Sequence, residues 1–293
     1  MNILTNPVLT KELRGRIRGA RATVILTIYL TLIGAVTLLI YLAIANPFAD
    51  NQPNLESGRN IGKVVFLTVM TVALVQVCII VPALTAGSIA GEKERQSFDL
   101  LVMTALSPWQ IVLGKLAAAL AYALLLITSA LPLAGLAFLF GGVSGTELVI
   151  GVIGLLVSAV LYATIGLFWS TMMRTTLAAT VMSQATIITS LLGIPFLFAI
   201  TGIFFSSSQG LRDLMENPAT IYIGGAILCL HPFIALGMTE AQIVSQGNIF
   251  FDTIRPFSND VVVPSPWIAF TCLSILLTII FLIFTTRALR IKK

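Results

Sequence analysis

The sequence is poor in charge. Asp, Glu, Lys and Arg together make up 10% of 293 residues, against 57% hydrophobic, and the mean hydropathy is +1.01. Soluble domains carry about a quarter charged residues, so this composition excludes a water-soluble globule, a disordered chain and a coiled coil. Histidine is nearly missing, with His231 alone, and the three cysteines (Cys78, Cys229, Cys272) stand far apart in apolar runs with no CxxC. Neither a zinc site nor a disulfide framework is expected from that set. No Asn-x-Ser/Thr sequon occurs. A nucleotide-binding P-loop is lacking too. Gly114-Lys115 is followed by Leu116, and Trp109 stands where the first glycine of that motif belongs.

What is present is a set of long apolar runs. A bilayer core of ~30 Å needs ~20 helical residues. Six runs qualify: Ala22–Ala45, Val64–Ala90, Ile111–Phe140, Leu148–Ser170, Leu177–Phe205 and Trp267–Thr286. The first ends in Ala43-Ile44-Ala45, which has the form of a signal-peptidase site, but the run far exceeds a signal h-region of ~7–15 residues and reads as a retained span. None of the runs alternates as barrel strands do, so the expected fold is an all-α polytopic membrane protein with six transmembrane helices, built as one domain over 1–293. A seventh apolar stretch, Ala219–Gly237, is broken by His231-Pro232. It is expected to form re-entrant or surface helices within an external region, 206–265, before the last span.

The connections divide the charge unequally. Lys11, Arg14, Arg16, Arg18 and Arg21 precede the first span, Lys93, Arg95 and Lys115 lie between the second and third, Arg174 follows the fourth, and Arg287, Arg290, Lys292 and Lys293 close the chain. Only Arg59, Lys63, Arg212 and Arg255 fall on the other side. The positive-inside rule then puts both termini in the cytoplasm of a multi-pass protein. The net charge of +5 belongs to membrane topology, and no nucleic-acid partner is expected.

Inside the runs there is no Asp or Glu, and Lys115 at the start of the third is the one cation. Charges within a bilayer are costly and usually functional, so their absence argues against a proton-coupled carrier. Gln76 and Gln184 are expected to hydrogen-bond between helices. Gly142-Val143-Ser144-Gly145 matches a bare intramembrane-protease motif, yet its base could only be His231, and glycines between two spans also make a tight turn.

The connection from Gly91 to Lys115 is the informative one. A helix is expected from Glu92 to Leu106, with Phe98, Leu101, Val102 and Ala105 on one face and Glu92, Glu94, Arg95 and Asp99 around its start. Ser107-Pro108-Trp109-Gln110 reads as a capping box that opens the third span. An apolar face on a short helix outside the membrane suits a groove on a partner.

Gly91-Glu92-Lys93-Glu94-Arg95, Asp99-Leu100-Leu101, Leu106-Ser107-Pro108 and Gly114-Lys115 resemble the coupling-helix region of ATP-binding cassette (ABC) permeases of the type-two exporter class. The opening Asn6-Pro7-Val8-Leu9-Thr10-Lys11-Glu12-Leu13-Arg14 is similar to the N-terminal interface helix of the same permeases. The family pattern often has proline where Ala105 stands here. The resemblance implies a permease without its own ATPase or cofactor, paired with a second permease chain and two ATP-binding subunits. It implies the cytoplasmic membrane of a prokaryote, with a coupling loop over 91–110 and a cytoplasmic interfacial arm over 1–21. On that reading Glu92, Glu94, Arg95, Phe98, Asp99, Leu101, Val102 and Leu106 engage the ATPase, and Lys11, Arg14, Arg16, Arg18 and Arg21 lie on the membrane surface. Two further classes stay open: an ATP-independent channel or secondary carrier, and a membrane scaffold. The substrate is not legible.

Overall fold

The computed structural model describes residues 20–44, 55–98, 107–205, 218–246, 249–254 and 261–291. Among them the chain forms α1 (Ala20–Ile44), α2 (Leu55–Glu94), α3 (Pro108–Leu139), α4 (Gly145–Met172), α5 (Thr176–Phe205), α6 (Pro218–Cys229), α7 (Pro232–Gln246), β1 (Phe251–Ile254), β2 (Val261–Pro264) and α8 (Pro266–Ile291). Six helices are long and apolar enough to cross a membrane: α1 to α5 and α8. They coincide with the six runs read from the sequence. Much of the basic arm, with Lys11, Arg14, Arg16 and Arg18, lies outside the described residues, and Arg21 falls in the first turn of α1.

The helices begin where side chains can satisfy free amides. Ser107 caps α3, its hydroxyl accepting from the Gln110 amide while Gln110 reaches back to the Ser107 amide. Ser144 caps α4 in the same reciprocal manner with Glu147. Ser144 is thereby a cap, and Gly141, at φ +77°, supplies the left-handed turn before it.

The chain divides into two compact units, with the boundaries falling inside α5 and α8. The first unit (residues 1–183 and 278–293) has α2 as its spine. Phe66, Val69, Met70, Ala73, Val77 and Val81 recur at helical spacing and are buried. Facing them are Tyr122, Leu126 and Ile127 of α3 and Leu155, Ala159 and Tyr162 of α4, also buried. Glycine lets α4 come close. A β-carbon at Gly166 would fall inside contact distance of Thr85 Oγ1 and the Pro82 carbonyl oxygen, and one at Gly151 would crowd Met70. Gln76, expected to bond between helices, keeps its Oε1 buried without a partner. Along α1 and the start of α5, large apolar side chains such as Leu38, Leu39 and Leu177 face outward, as suits helices surrounded by lipid.

The second unit (residues 184–277) holds α6, α7 and the strands. Helices α6 and α7 have 12 and 15 residues, each too short for a span, and they meet at a bend of 114°. So sharp a bend excludes a straight seventh span and fits either a re-entrant pair or a span broken at His231-Pro232. Pro232 opens α7 instead of breaking it. His231 Nε2 bonds the Leu191 carbonyl and its Nδ1 accepts from the Ile234 amide, so neither ring nitrogen is free to serve a serine. The small antiparallel ladder, Phe251 opposite Pro264 and Ile254 opposite Val261, was not legible in the sequence. It is fixed to the helices by Tyr222 Oη donating to the Val262 carbonyl and Trp267 Nε1 donating to the Ile249 carbonyl.

The close crossing of α2 and α4 predicts that Gly166→Val is among the most damaging apolar substitutions in the chain. Forcing a side chain against backbone costs about 1–3 kcal/mol or more. Thermal unfolding in detergent should show a clear loss of stability, whereas Gly154→Ala, with open space around its α-carbon, should leave the midpoint nearly unchanged.

Candidate functional site at the Glu92–Phe98 junction

Helix α2 has 40 residues and is about 60 Å long at ~1.5 Å per residue, twice the hydrocarbon thickness. It therefore carries charged residues at both ends. At one end Lys63 Nζ meets Glu147 Oε2 of α4 at 3.2 Å. At the other, Glu92 Oε1 meets Lys115 Nζ of α3 at 2.8 Å. Those two positions on α2 lie about 44 Å apart along the axis, which matches a bilayer measured with its headgroups.

The second end is the richer one. Lys115 is fully buried, and its ammonium also donates to the Ser88 carbonyl at 2.8 Å. The next residue, Lys93, donates to the carbonyls of Ser170, Thr171 and Met173 at 3.0, 2.6 and 2.9 Å. Those are the open carbonyls at the C-terminus of α4, where a cation is favoured. Glu94 then accepts at Oε2 from the Thr176 amide and hydroxyl, at 3.1 and 2.8 Å. That is the N-terminus of α5, where an anion is favoured. Successive residues on a helix point about 100° apart. So Glu92, Lys93 and Glu94 each reach a different helix: α3, α4 and α5. Ser170 Oγ strengthens the α4 contact by accepting from the Ile89 and Ala90 amides, both at 2.9 Å.

The chain then turns sharply. Gln96 has φ +57°, the Gln96 amide donates to the Lys93 carbonyl, and the Ser97 amide donates to the Glu92 carbonyl. This is a Schellman termination with glutamine at the position glycine normally fills. The helix expected to start at Glu92 is therefore interrupted. Glu92 and Glu94 end α2, residues 95–97 form the turn, and helical geometry resumes at Phe98. The reason is that α2 does not stop at the edge of its apolar run but continues until the turn closes it.

Phe98 is 9% exposed, and the Lys93 ammonium stands 5.7 Å above its ring, within cation–π range. Arg95 is exposed. Among the predicted coupling residues, Glu92, Glu94, Arg95 and Phe98 are thus brought together on one turn, while Asp99, Leu101, Val102 and Leu106 lie outside the described residues. The two glutamates tie helices of the same chain. Sequence reading missed Lys93, Ser170 and Thr176, and treated Lys115 as a boundary charge. A lone cation at the head of an apolar run was the available signal, because a buried ammonium requires an anion. No cluster of metal-binding side chains occurs among the described residues.

Fold and composition together define a polytopic α-helical membrane protein. The chain belongs to the ABC-2 family of transporter proteins, whose family model matches residues 47–286, and it is on that footing a permease subunit of an ABC transporter. A search of curated proteins gave no match.

Two predictions follow from the junction. Lys115→Met leaves Glu92 without its cation and should lower stability by on the order of 3 kcal/mol, with Glu92→Gln in the same chain recovering part of the loss; a double-mutant cycle in thermal unfolding measures the coupling. Gln96→Gly relieves a left-handed residue and should raise the unfolding free energy by about 1 kcal/mol.

Proposed function

We propose that this chain is the membrane-spanning subunit of an ABC exporter, driven by ATP hydrolysis on separate ATP-binding subunits that dock at the 91–110 loop. The observation that carries this reading is the three-way attachment of Glu92, Lys93 and Glu94. A push or pull on the Phe98-bearing segment reaches α3, α4 and α5 through ion pairs and helix-end hydrogen bonds, without help from any charge inside the bilayer. Lys93 spans both parts, since its ammonium holds the end of α4 and covers the Phe98 ring.

In this assignment the end of the bundle bearing Lys93, Lys115 and Arg287 faces the cytoplasm, as do both termini. The basic arm (Lys11, Arg14, Arg16, Arg18, Arg21) lies along the inner surface of a prokaryotic cytoplasmic membrane. Leu101, Val102 and Leu106 supply the apolar contact to the ATPase, Arg95 and Asp99 its charged rim, and Phe98, buried under the Lys93 ammonium, seats the segment on its own bundle. The bent α6–α7 pair and the β-ladder form the external region. A second permease chain completes the translocation path. The apolar interior suits lipids, drugs or peptides better than small multivalent ions.

The test uses the chain expressed with its ATPase. Arg95→Glu and Leu101→Asp are each expected to leave membrane insertion and yield intact while lowering the co-purified ATPase at least about tenfold, the effect of losing one interface hot spot. Normal co-purification and normal substrate-stimulated ATP turnover in both variants would refute docking at this segment. Uphill transport by the purified chain alone would refute the need for an ATPase.

A further inference from the structure

The start of α3 and the end of α8 enclose a cleft of about 280 Å³ lined by Ser107, Trp109, Ile283, Thr286, Arg287 and Arg290. Arg287 and Arg290 sit one helical turn apart on α8, immediately after its apolar run. Among the described residues neither guanidinium has a hydrogen-bond or ion-pair partner, and no carboxylate lines the cleft. Two unneutralised cations facing one cavity repel each other unless an anion sits between them.

The remaining walls also offer donors. The Trp109 amide belongs to the first turn of α3, where it has no helical partner, and it makes no other hydrogen bond among the described residues. The Ser107 hydroxyl accepts from the Gln110 amide and still has its own proton to give. The positive end of α3, 32 residues long, adds to the field of the two arginines. The cavity is small beside ligand pockets of ~300–1,000 Å³ and suits a headgroup.

Its depth identifies the source of the anion. Both helices pass from apolar to polar sequence here, so the cleft lies at the bilayer interface. Trp109, 45% exposed, is the residue type that anchors at that level. Directly below Arg287 on the same face of α8, at spacings of four, stand the exposed Ile283 and Ile279. A molecule held here meets cations at one end and an apolar ridge at the other. We propose that this cleft is a binding site for the phosphodiester headgroup of an anionic membrane lipid, with an acyl chain along Ile283 and Ile279. Because Ser107 directly follows the 99–106 segment, an occupied site braces the base of α3 beside that segment.

The experiment takes the full-length chain in a neutral detergent. Phosphatidylglycerol, phosphatidylcholine and inorganic phosphate are titrated separately, with bound lipid counted by native mass spectrometry and stabilisation followed by thermal unfolding. Wild type should hold phosphatidylglycerol at least about fivefold more tightly than phosphatidylcholine, as one arginine near an anionic headgroup would give. Arg287→Gln/Arg290→Gln should lose that preference, and Arg174→Gln should keep it. Arg287→Lys/Arg290→Lys retains both charges and should retain most of it, which separates lost binding from lost folding. Equal binding of the two lipids by wild type, or an unchanged preference in the glutamine double variant, would overturn the proposal. Inorganic phosphate competing as well as phosphatidylglycerol would overturn the lipid assignment.

Discussion

A lysine ammonium sealed from water organises one end of this protein. Lys115 sits at the head of an apolar helix with no access to solvent, and a charge so placed is tolerable only with an opposite charge and further acceptors around it. Glu92 and the Ser88 carbonyl meet that requirement, and both stand on α2, four residues apart. The pairing fixes the rotation of α2 relative to α3. Once α2 is set, Lys93 and Glu94 are aimed at the ends of α4 and α5, where the helix dipoles favour the sign each carries.

On the proposed reading such an arrangement transmits force. Hydrogen bonds to helix ends and a buried ion pair are short and directional, so displacement of the Arg95–Phe98 turn cannot be absorbed at one side chain. At the tight α2–α4 crossing, Gly166 lies against the Pro82 backbone and Thr85 Oγ1 with little slack, so on the proposed reading movement of α2 carries α4 with it. Gln96 adds a strained link at the point where α2 ends. A residue type other than glycine in the left-handed region persists only where its surroundings hold it, and here the two Schellman hydrogen bonds do so.

Sequence reasoning was strongest where the solvent imposes the answer. Hydrocarbon forces backbone groups to pair within a helix, so length and apolarity located the six spans, and the Ser107 capping box marked the start of α3 to the residue. It was weakest where a residue could satisfy two roles. Glu92 and Glu94 lie beside Arg95 in a polar connection and read equally well as a rim for a partner; that they tie α3 and α5 depends on which helices come within reach. Ser144 in its glycine-rich turn posed the same ambiguity, resolved by its bond to the Glu147 amide.

Composition and pattern by themselves therefore determined the class: an all-helical membrane protein with six spans, a lopsided charge distribution and no Asp, Glu or Arg in its apolar runs, where Lys115 is the one charged side chain. Local physics is enough for that, because each span answers to the bilayer independently of its neighbours. Tertiary structure alone decided the Glu92–Lys93–Glu94 attachment, the 114° turn between α6 and α7, and the meeting of Arg287 and Arg290 with Trp109. Each of these joins residues distant in the chain or sets an angle between helices. Helix periodicity carries no information about which ends will be neighbours.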